Sequence, residues 1–162
     1  MTRTLVVSIT CSLLLAACAS APGVVAVEDL RVGPARYLDD TTTLLRVAGQ
    51  PLHRRGPSVV FGGFEDVWDF QGFRCFLNAG WRCDQLLTTD STVLASRGVR
   101  VGMRVEEMLS TMGAPAHQRT NGDTLILSYD LKGKGRGFGV LVKATGDTVR
   151  SIAVGQLTFV FM

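Results

Sequence analysis

Apolar residues recur at helical spacing in one short segment of the second half of the chain. Val105 is followed three and four positions later by Met108 and Leu109, and Met112 follows these at the same spacings, which places all four on one face of an α-helix. After this segment, apolar stretches that partly alternate with polar residues predict strands over residues 124–130, 140–144, 149–154 and 156–161. The pattern predicts a helix followed by an antiparallel meander.

The first half of the chain carries the same order of elements. A short helix capped by Asp40 is predicted before Gly49, and strands are predicted over residues 66–70, 72–77, 83–89 and 93–95. Both halves read Arg-Val-Gly, then a helix, then Gly-x-Pro-x-His-x-Arg, in which the glycine and proline end the helix. This repetition predicts an α+β fold of two tandem helix-plus-antiparallel-sheet repeats, residues 30–97 and 98–162. The helices are expected to pack on one sheet face.

A short apolar run opens the chain. It follows Arg3, extends from Leu5 to Ala17 and is followed directly by Cys18. The run resembles the bacterial lipobox, whose cysteine is acylated through its sulfur before the signal segment is removed. The resemblance implies a signal peptide over residues 1–17, lipidation at Cys18, a tether over residues 18–29, and an outer-membrane lipoprotein facing the periplasm. The run is shorter than the ~20 apolar residues of a transmembrane helix, and an ordinary secretory signal is the alternative.

Composition and charge exclude several functions. Arg3 leaves with the signal, so the net charge of +3 falls to about +2, without the basic stripe of a nucleic-acid-binding protein. The apolar content of 46% is that of a folded domain. No sequence motif marks a catalytic nucleophile, a cofactor or a metal site. We therefore expect no enzyme activity, no cofactor, no metal, no nucleic acid and no small-molecule substrate.

Two of the four cysteines belong to the body of the mature protein. Cys11 is removed with the signal and Cys18 takes the lipid, which leaves Cys75 and Cys83. An exported chain meets an oxidising compartment, where this pair is expected to form a disulfide. A redox or metal-binding pair is the alternative, but the spacing is not Cys-x-x-Cys and the histidines are not clustered.

Aromatic residues crowd around the cysteine pair. Trp68, Phe70, Phe73, Phe76 and Trp81 fall within fourteen residues. Rigid exposed aromatic side chains are typical anchors for a protein partner, but a sheet core also takes aromatic residues. The spacing leaves both alternatives open, and the first predicts a partner-binding surface at these five residues.

Two histidines and one glycine-rich loop are weaker candidates. His53 and His117 occupy equivalent positions in the two repeats, so the repetition accounts for them without a catalytic role. The basic loop at residues 132–137 lacks the Gly-Lys-Ser/Thr ending of phosphate-binding loops. It is either a solvated strand connection or a contact for anionic lipid headgroups or an acidic partner.

Residues 99–115 resemble a known family. They begin with Val99, Gly102 and Met103, continue through a helix with paired acidic residues, and end in Gly-x-Pro. This run resembles the SmpA/OmlA/BamE family of small outer-membrane lipoproteins. The strand carrying Tyr129 lies where that family has an aromatic strand, which adds Tyr129 to the implied partner-binding residues. The tandem arrangement is similar to that of β-lactamase inhibitory protein.

These resemblances imply a function in the cell envelope. They imply a lipid-anchored protein-binding module that supports outer-membrane assembly or integrity, with the β-barrel assembly machinery as a candidate partner. The alternative is a periplasmic inhibitor-type binder of an envelope hydrolase. Both functions need a protein partner and a membrane anchor.

Overall fold

β-Strands make up most of the regular secondary structure of the described chain. A computed structural model describes residues 23–56, 66–134 and 136–157. The helices among these residues are α1 (Thr41–Ala48) and α2 (Val105–Met112). The strands are β1 (Val24–Val25), β2 (Arg31–Val32), β3 (Ala35–Arg36), β4 (His53–Arg55), β5 (Asp66–Phe70), β6 (Phe73–Leu77), β7 (Cys83–Thr88), β8 (His117–Asn121), β9 (Thr124–Leu131), β10 (Phe138–Thr145) and β11 (Thr148–Gln156).

Nine of these strands form one mixed sheet. Its order is β1-β9-β10-β11-β7-β6-β5-β4, and β8 also pairs with β9. β1 runs parallel to β9, whereas the other pairs in this sheet are antiparallel. β2 and β3 form a separate two-stranded hairpin. The strands of the two halves join where β11 pairs with β7, with Ile152 opposite Thr88 and Gly155 opposite Gln85.

One face of the sheet carries the main hydrophobic core. Residues directly opposite each other on paired strands share a face, as the buried pair Cys75 and Leu86 does. The two helices contribute the side chains of Leu44, Met108 and Met112 to the same buried cluster. The core therefore joins residues that are far apart in the sequence.

The helices begin and end at the residues that the sequence predicts. Asp40 lies before α1, and its Oδ1 accepts a hydrogen bond from the Thr43 amide at 2.7 Å. Gly49 and Gly113 follow the two helices with φ angles of 79° and 81°, a region that favours glycine. These predictions of local structure are confirmed.

The predicted α+β fold of two tandem helix-plus-sheet repeats is wrong. The described chain is mostly β, with one continuous nine-stranded mixed sheet and only two helices. Each helix has eight residues and is about 12 Å long, whereas a sheet of this width extends over roughly 30 Å. The helices are too short to form a layer over two separate sheets, and the β11–β7 pairing makes the strands one unit.

The strand predictions succeed where apolar residues line the strand. β5, β6, β7, β9, β10 and β11 agree with the predicted bounds to within two residues. The predicted strand over residues 93–95 is wrong, because Leu94 and Ala95 form only isolated bridges. β4 and β8 are not predicted, and most of the expected strand over residues 156–161 lies outside the described residues.

The segment expected to be a tether enters the sheet at its end. The carbonyl oxygen of Gly23 accepts a hydrogen bond from the Asp130 amide at 2.7 Å, and that of Val25 accepts one from the Lys132 amide at 2.9 Å. The signal segment, Cys18 and residues 19–22 lie outside the described residues. In the part of the chain that is described, no helix has the length and apolarity needed to cross a bilayer.

Candidate protein-interaction surface

A disulfide closes the hairpin formed by β6 and β7. Cys75 and Cys83 are bonded, with their Cα atoms 5.9 Å apart, which confirms the predicted pair. Both side chains are fully buried in the main core cluster. The bond therefore lies beneath the hairpin, and it fixes the strands on either side of the turn at residues 78–82.

The hairpin turn is built around Asn78. Its carbonyl oxygen accepts a hydrogen bond from the Trp81 amide at 2.8 Å, and its amide donates to the Arg82 carbonyl at 3.0 Å. Its side-chain Oδ1 accepts from the amides of Gly80 and Arg82 at 3.0 and 3.2 Å. Trp81 adopts a left-handed backbone with φ of 54°, at a turn position where glycine is favoured.

A second apolar residue with a left-handed backbone lies beside this turn. Leu38 has φ of 67°, and its amide donates to the Cys83 carbonyl at 2.7 Å. Its carbonyl accepts a hydrogen bond from Arg82 Nη1 at 3.3 Å. The exposed fractions are 50% for Trp81 and 40% for Leu38. Bulky residues in this conformation are outliers that cluster at functional sites.

Trp81, Leu38 and Arg82 define what we call the hairpin surface. The aromatic crowding around the cysteine pair predicts Trp81 as a contact residue. Nothing in the sequence predicts Leu38, because no glycine or turn motif marks the left-handed backbone at that position. The three residues come from two segments that only the folded chain brings together. Tryptophan and arginine are enriched among the side chains that contribute most to protein–protein binding. Leu38 adds an exposed aliphatic side chain beside them.

The other four aromatic residues near the disulfide belong to the core. Trp68, Phe70 and Phe73 are buried on the main core face, and Phe70 and Phe73 stack with ring centroids 4.9 Å apart. Phe76 is buried on the opposite face of the sheet. These four side chains are therefore core positions and not the exposed aromatic anchors that their crowding in the sequence predicts.

Tyr129 is also a core residue and not a contact for a partner. Its side chain is fully buried, and its hydroxyl donates a hydrogen bond to the Gly113 carbonyl at 3.0 Å. Burial raises the pKa of Tyr129 to about 12, against a smaller opposing effect of the Arg97 charge. The phenol stays protonated at neutral pH and ties β9 to the residue that ends α2.

A half-buried carboxyl lies at the base of the hairpin. Burial raises the pKa of Asp84, and a hydrogen bond from the Asn78 side chain partly opposes this. Burial together with the Asp84 charge also raises the pKa of Tyr37. The ionised Asp84 carboxylate is therefore an unfavourable charge held next to the turn that presents Trp81.

We expect Asp84→Asn to raise the free energy of unfolding at pH 7. The folded-state pKa of Asp84 is raised, so ionising this carboxyl lowers stability as the pH rises above the ordinary Asp value of about 3.9. The advantage of the variant should disappear below that pH, where Asp84 is protonated in both states. Urea unfolding at several pH values measures the difference, and Asp123→Asn at an exposed position is the matched control. Equal stabilities at pH 7 would contradict the prediction.

The two histidines lie on exposed edge strands. His53 begins β4 and His117 begins β8. His117 Nε2 lies 3.3 Å from Asp130 Oδ2, beside a small groove of about 60 Å³. Among the residues that the structure describes, no group of three or more histidine, cysteine, aspartate or glutamate side chains could hold a metal ion.

Comparison with known proteins assigns no family. No protein family and no curated protein matches the sequence. Among solved structures, the fold is similar to an extracellular protein containing an SCP domain from Bacillus anthracis strain Ames, with 11% sequence identity and a TM-score of 0.49. The match covers 76% of this chain and 45% of that protein, so this chain spans less than half the length of the structure it matches.

The resemblance to the SmpA/OmlA/BamE family and to β-lactamase inhibitory protein is wrong. No protein family, this one included, matches the sequence. The architecture also differs from a helix-plus-sheet repeat, since one mixed sheet carries both halves of the chain. The local Val-x-x-Gly-Met and Gly-x-Pro pattern reports how a short helix begins and ends, which is too little to define a family.

Proposed function

We propose that this protein is a lipid-anchored envelope protein that binds another envelope protein through the hairpin surface. The observation that carries the proposal is the half-exposed Trp81 side chain in a left-handed backbone at the turn of a disulfide-closed hairpin. The turn is held by four hydrogen bonds to Asn78, so little ordering is needed when a partner binds.

The anchor part of the proposal rests on the sequence. Cys18 ends a short apolar run after Arg3, and the buried disulfide suits a protein exported to an oxidising compartment. An outer-membrane location facing the periplasm would keep the hairpin surface near other envelope proteins. A lipid anchor raises their effective concentration, so a modest affinity is sufficient. The Cys18→Ala variant tests this part: processing and membrane fractionation unchanged from wild type would contradict it.

Site-specific photo-cross-linking tests the contact surface. A benzoylphenylalanine at position 81 of the full-length protein should give a defined protein adduct in native membranes. Position 52 is the matched control, because Leu52 is 64% exposed and its amide bonds to Asp69. Asp69 pairs with Arg74, three residues along β6 from Leu77, the strand end that leads to the hairpin turn.

The identity of the adduct decides between the two functions raised by the sequence. A β-barrel assembly component would indicate a role in outer-membrane assembly, and a hydrolase whose activity falls on binding would indicate an inhibitor. No adduct at position 81, or the same products at positions 81 and 52, would contradict the hairpin surface as the contact site.

A further inference from the structure

We propose that Lys132, Lys134 and Arg136 bind anionic lipid headgroups and hold the domain against the membrane in one orientation. These three side chains are called the basic edge. The proposal rests on the lipid anchor at Cys18 proposed above, because the anchor brings the basic edge to the membrane surface. The basic edge lies at the end of the sheet where the described chain begins.

Backbone hydrogen bonds join the basic edge to the first described residues. β1 pairs with the end of β9, with Val24 opposite Asp130 and Val25 opposite Leu131. The Lys132 amide donates to the Val25 carbonyl at 2.9 Å, and the Lys134 amide donates to the Leu131 carbonyl at 3.0 Å. The position of the lysines is therefore fixed relative to the point where the chain enters the fold.

The sequence between Cys18 and the fold is short. Gly23 is five residues after Cys18 and already bonds to β9. An extended chain covers at most about 3.5 Å per residue, so the Cα atoms of Cys18 and Gly23 are no more than about 17 Å apart. Acyl chains on Cys18 would thus keep Gly23, and with it the basic edge, close to the headgroups.

The charge around this edge suits an anionic surface. Lys132, Lys134 and Arg136 are exposed, and none of them forms a salt bridge within the described residues. Two carboxylates lie nearby: Asp29 pairs with Arg97 at 2.8 Å, and Asp130, which lines the same groove as Lys132 and Lys134, lies 3.3 Å from His117. Together with Arg97, the basic edge places four cationic side chains near these two carboxylates, so its net charge is positive.

The surface shape and the residue types agree with this assignment. A groove of about 570 Å³ runs beside β1, lined by Val24, Val25 and Leu131 together with Arg97, Lys132 and Lys134. The chain contains only three lysines, and two of them are in this groove. Lysine carries a compact charge on a long flexible stem, which suits contact with a mobile layer of phosphate groups.

Lysine footprinting in vesicles tests the proposal. The full-length processed protein is reconstituted into vesicles of phosphatidylcholine alone or of phosphatidylcholine with phosphatidylglycerol, and treated briefly with an acetylating reagent. We expect acetylation of Lys132 and Lys134 to slow at least threefold in the anionic vesicles, and salt at about 0.5 M to remove the difference. Lys143, on β10, is the internal control and should react equally in both.

The same mass spectra separate failure of this proposal from failure of the anchor. An intact mass without acyl groups would overturn the proposed anchor, and the headgroup contact with it. An acylated protein whose Lys132 and Lys134 react equally in both vesicles would overturn the headgroup contact alone. Equal slowing of all three lysines would also overturn it, because a general effect of the anionic surface would explain the result.

Discussion

Trp81→Gly should weaken binding of the partner by about thirtyfold or more while the domain stays folded. Aromatic residues at the centre of a protein interface commonly contribute 2 kcal/mol or more, which corresponds to that factor. The substitution removes the side chain but suits the backbone, because glycine adopts the left-handed conformation of residue 81 without a steric penalty.

The left-handed backbone at residue 81 also affects the stability of this variant. A non-glycine residue in the left-handed region lowers the stability of the folded state by about 1–2 kcal/mol, a cost that glycine avoids. Glycine also has more conformational freedom in the unfolded chain, and this cancels part of the stability gained by the substitution. The buried half of the Trp81 side chain contributes stabilisation of about the same size, at about 25 cal/mol per Å² of apolar surface. The two effects of Trp81→Gly oppose each other, so we expect its free energy of unfolding to stay within about 2 kcal/mol of the wild type.

Calorimetric titration against the partner identified by cross-linking measures affinity, and urea unfolding measures stability. Leu52→Gly is the matched control, since it removes an exposed apolar side chain far from the turn and should leave the affinity unchanged. Unchanged affinity of Trp81→Gly would show that the hairpin surface is not the contact site. A loss of several kcal/mol of stability would show that Trp81 supports the fold instead.

Sequence patterns predicted the elements whose side chains are partly buried. α2 and β9 carry apolar residues at helical and strand spacing, and the structure has both at the expected positions. β4 and β8 were missed because every residue in them is exposed, so no apolar periodicity marks them. Edge strands of this kind are held by backbone pairing with β5 and β9, which the sequence does not encode locally.

The pairing that joins the two halves could not be predicted from local sequence patterns either. β11 and β7 are separated by the whole of α2 and three strands, and their pairing depends on long-range register. The repeated Gly-x-Pro-x-His-x-Arg motif predicts where the two helices end, but it does not predict the edge strands that follow or the sheet that contains them. The predicted fold class is wrong because it depends on this long-range pairing of strands.

The spacing of aromatic residues could not separate core from surface either. Trp68 and Phe76 point to opposite faces of the sheet, yet both are buried. The feature that distinguishes Trp81 is its position in the Asn78 turn rather than within a strand. A residue that breaks a local backbone preference at a turn is a better functional signal than aromatic density.

Replacing the cysteine pair should lower the free energy of unfolding substantially. The disulfide links residues eight positions apart, and in the chain-entropy model a loop of this size contributes about 2–3 kcal/mol. We expect Cys75→Ala/Cys83→Ala to lower the free energy of unfolding by about this amount. Since both side chains are fully buried, the native disulfide should also resist reduction until the protein unfolds.

Urea unfolding of the double variant and of the wild type, with and without reductant, measures this effect. The reduced wild type should match the double variant to within about 1 kcal/mol, which controls for the packing lost with the two sulfur atoms. Equal stability of the oxidised wild type and the double variant would contradict the prediction.

The double variant should bind the partner more weakly than the wild type, because the hairpin loses the covalent bond that holds Trp81 and Arg82 in place. If the double variant is less stable but binds the partner with unchanged affinity, the hydrogen bonds to Asn78 are sufficient to hold Trp81 in position.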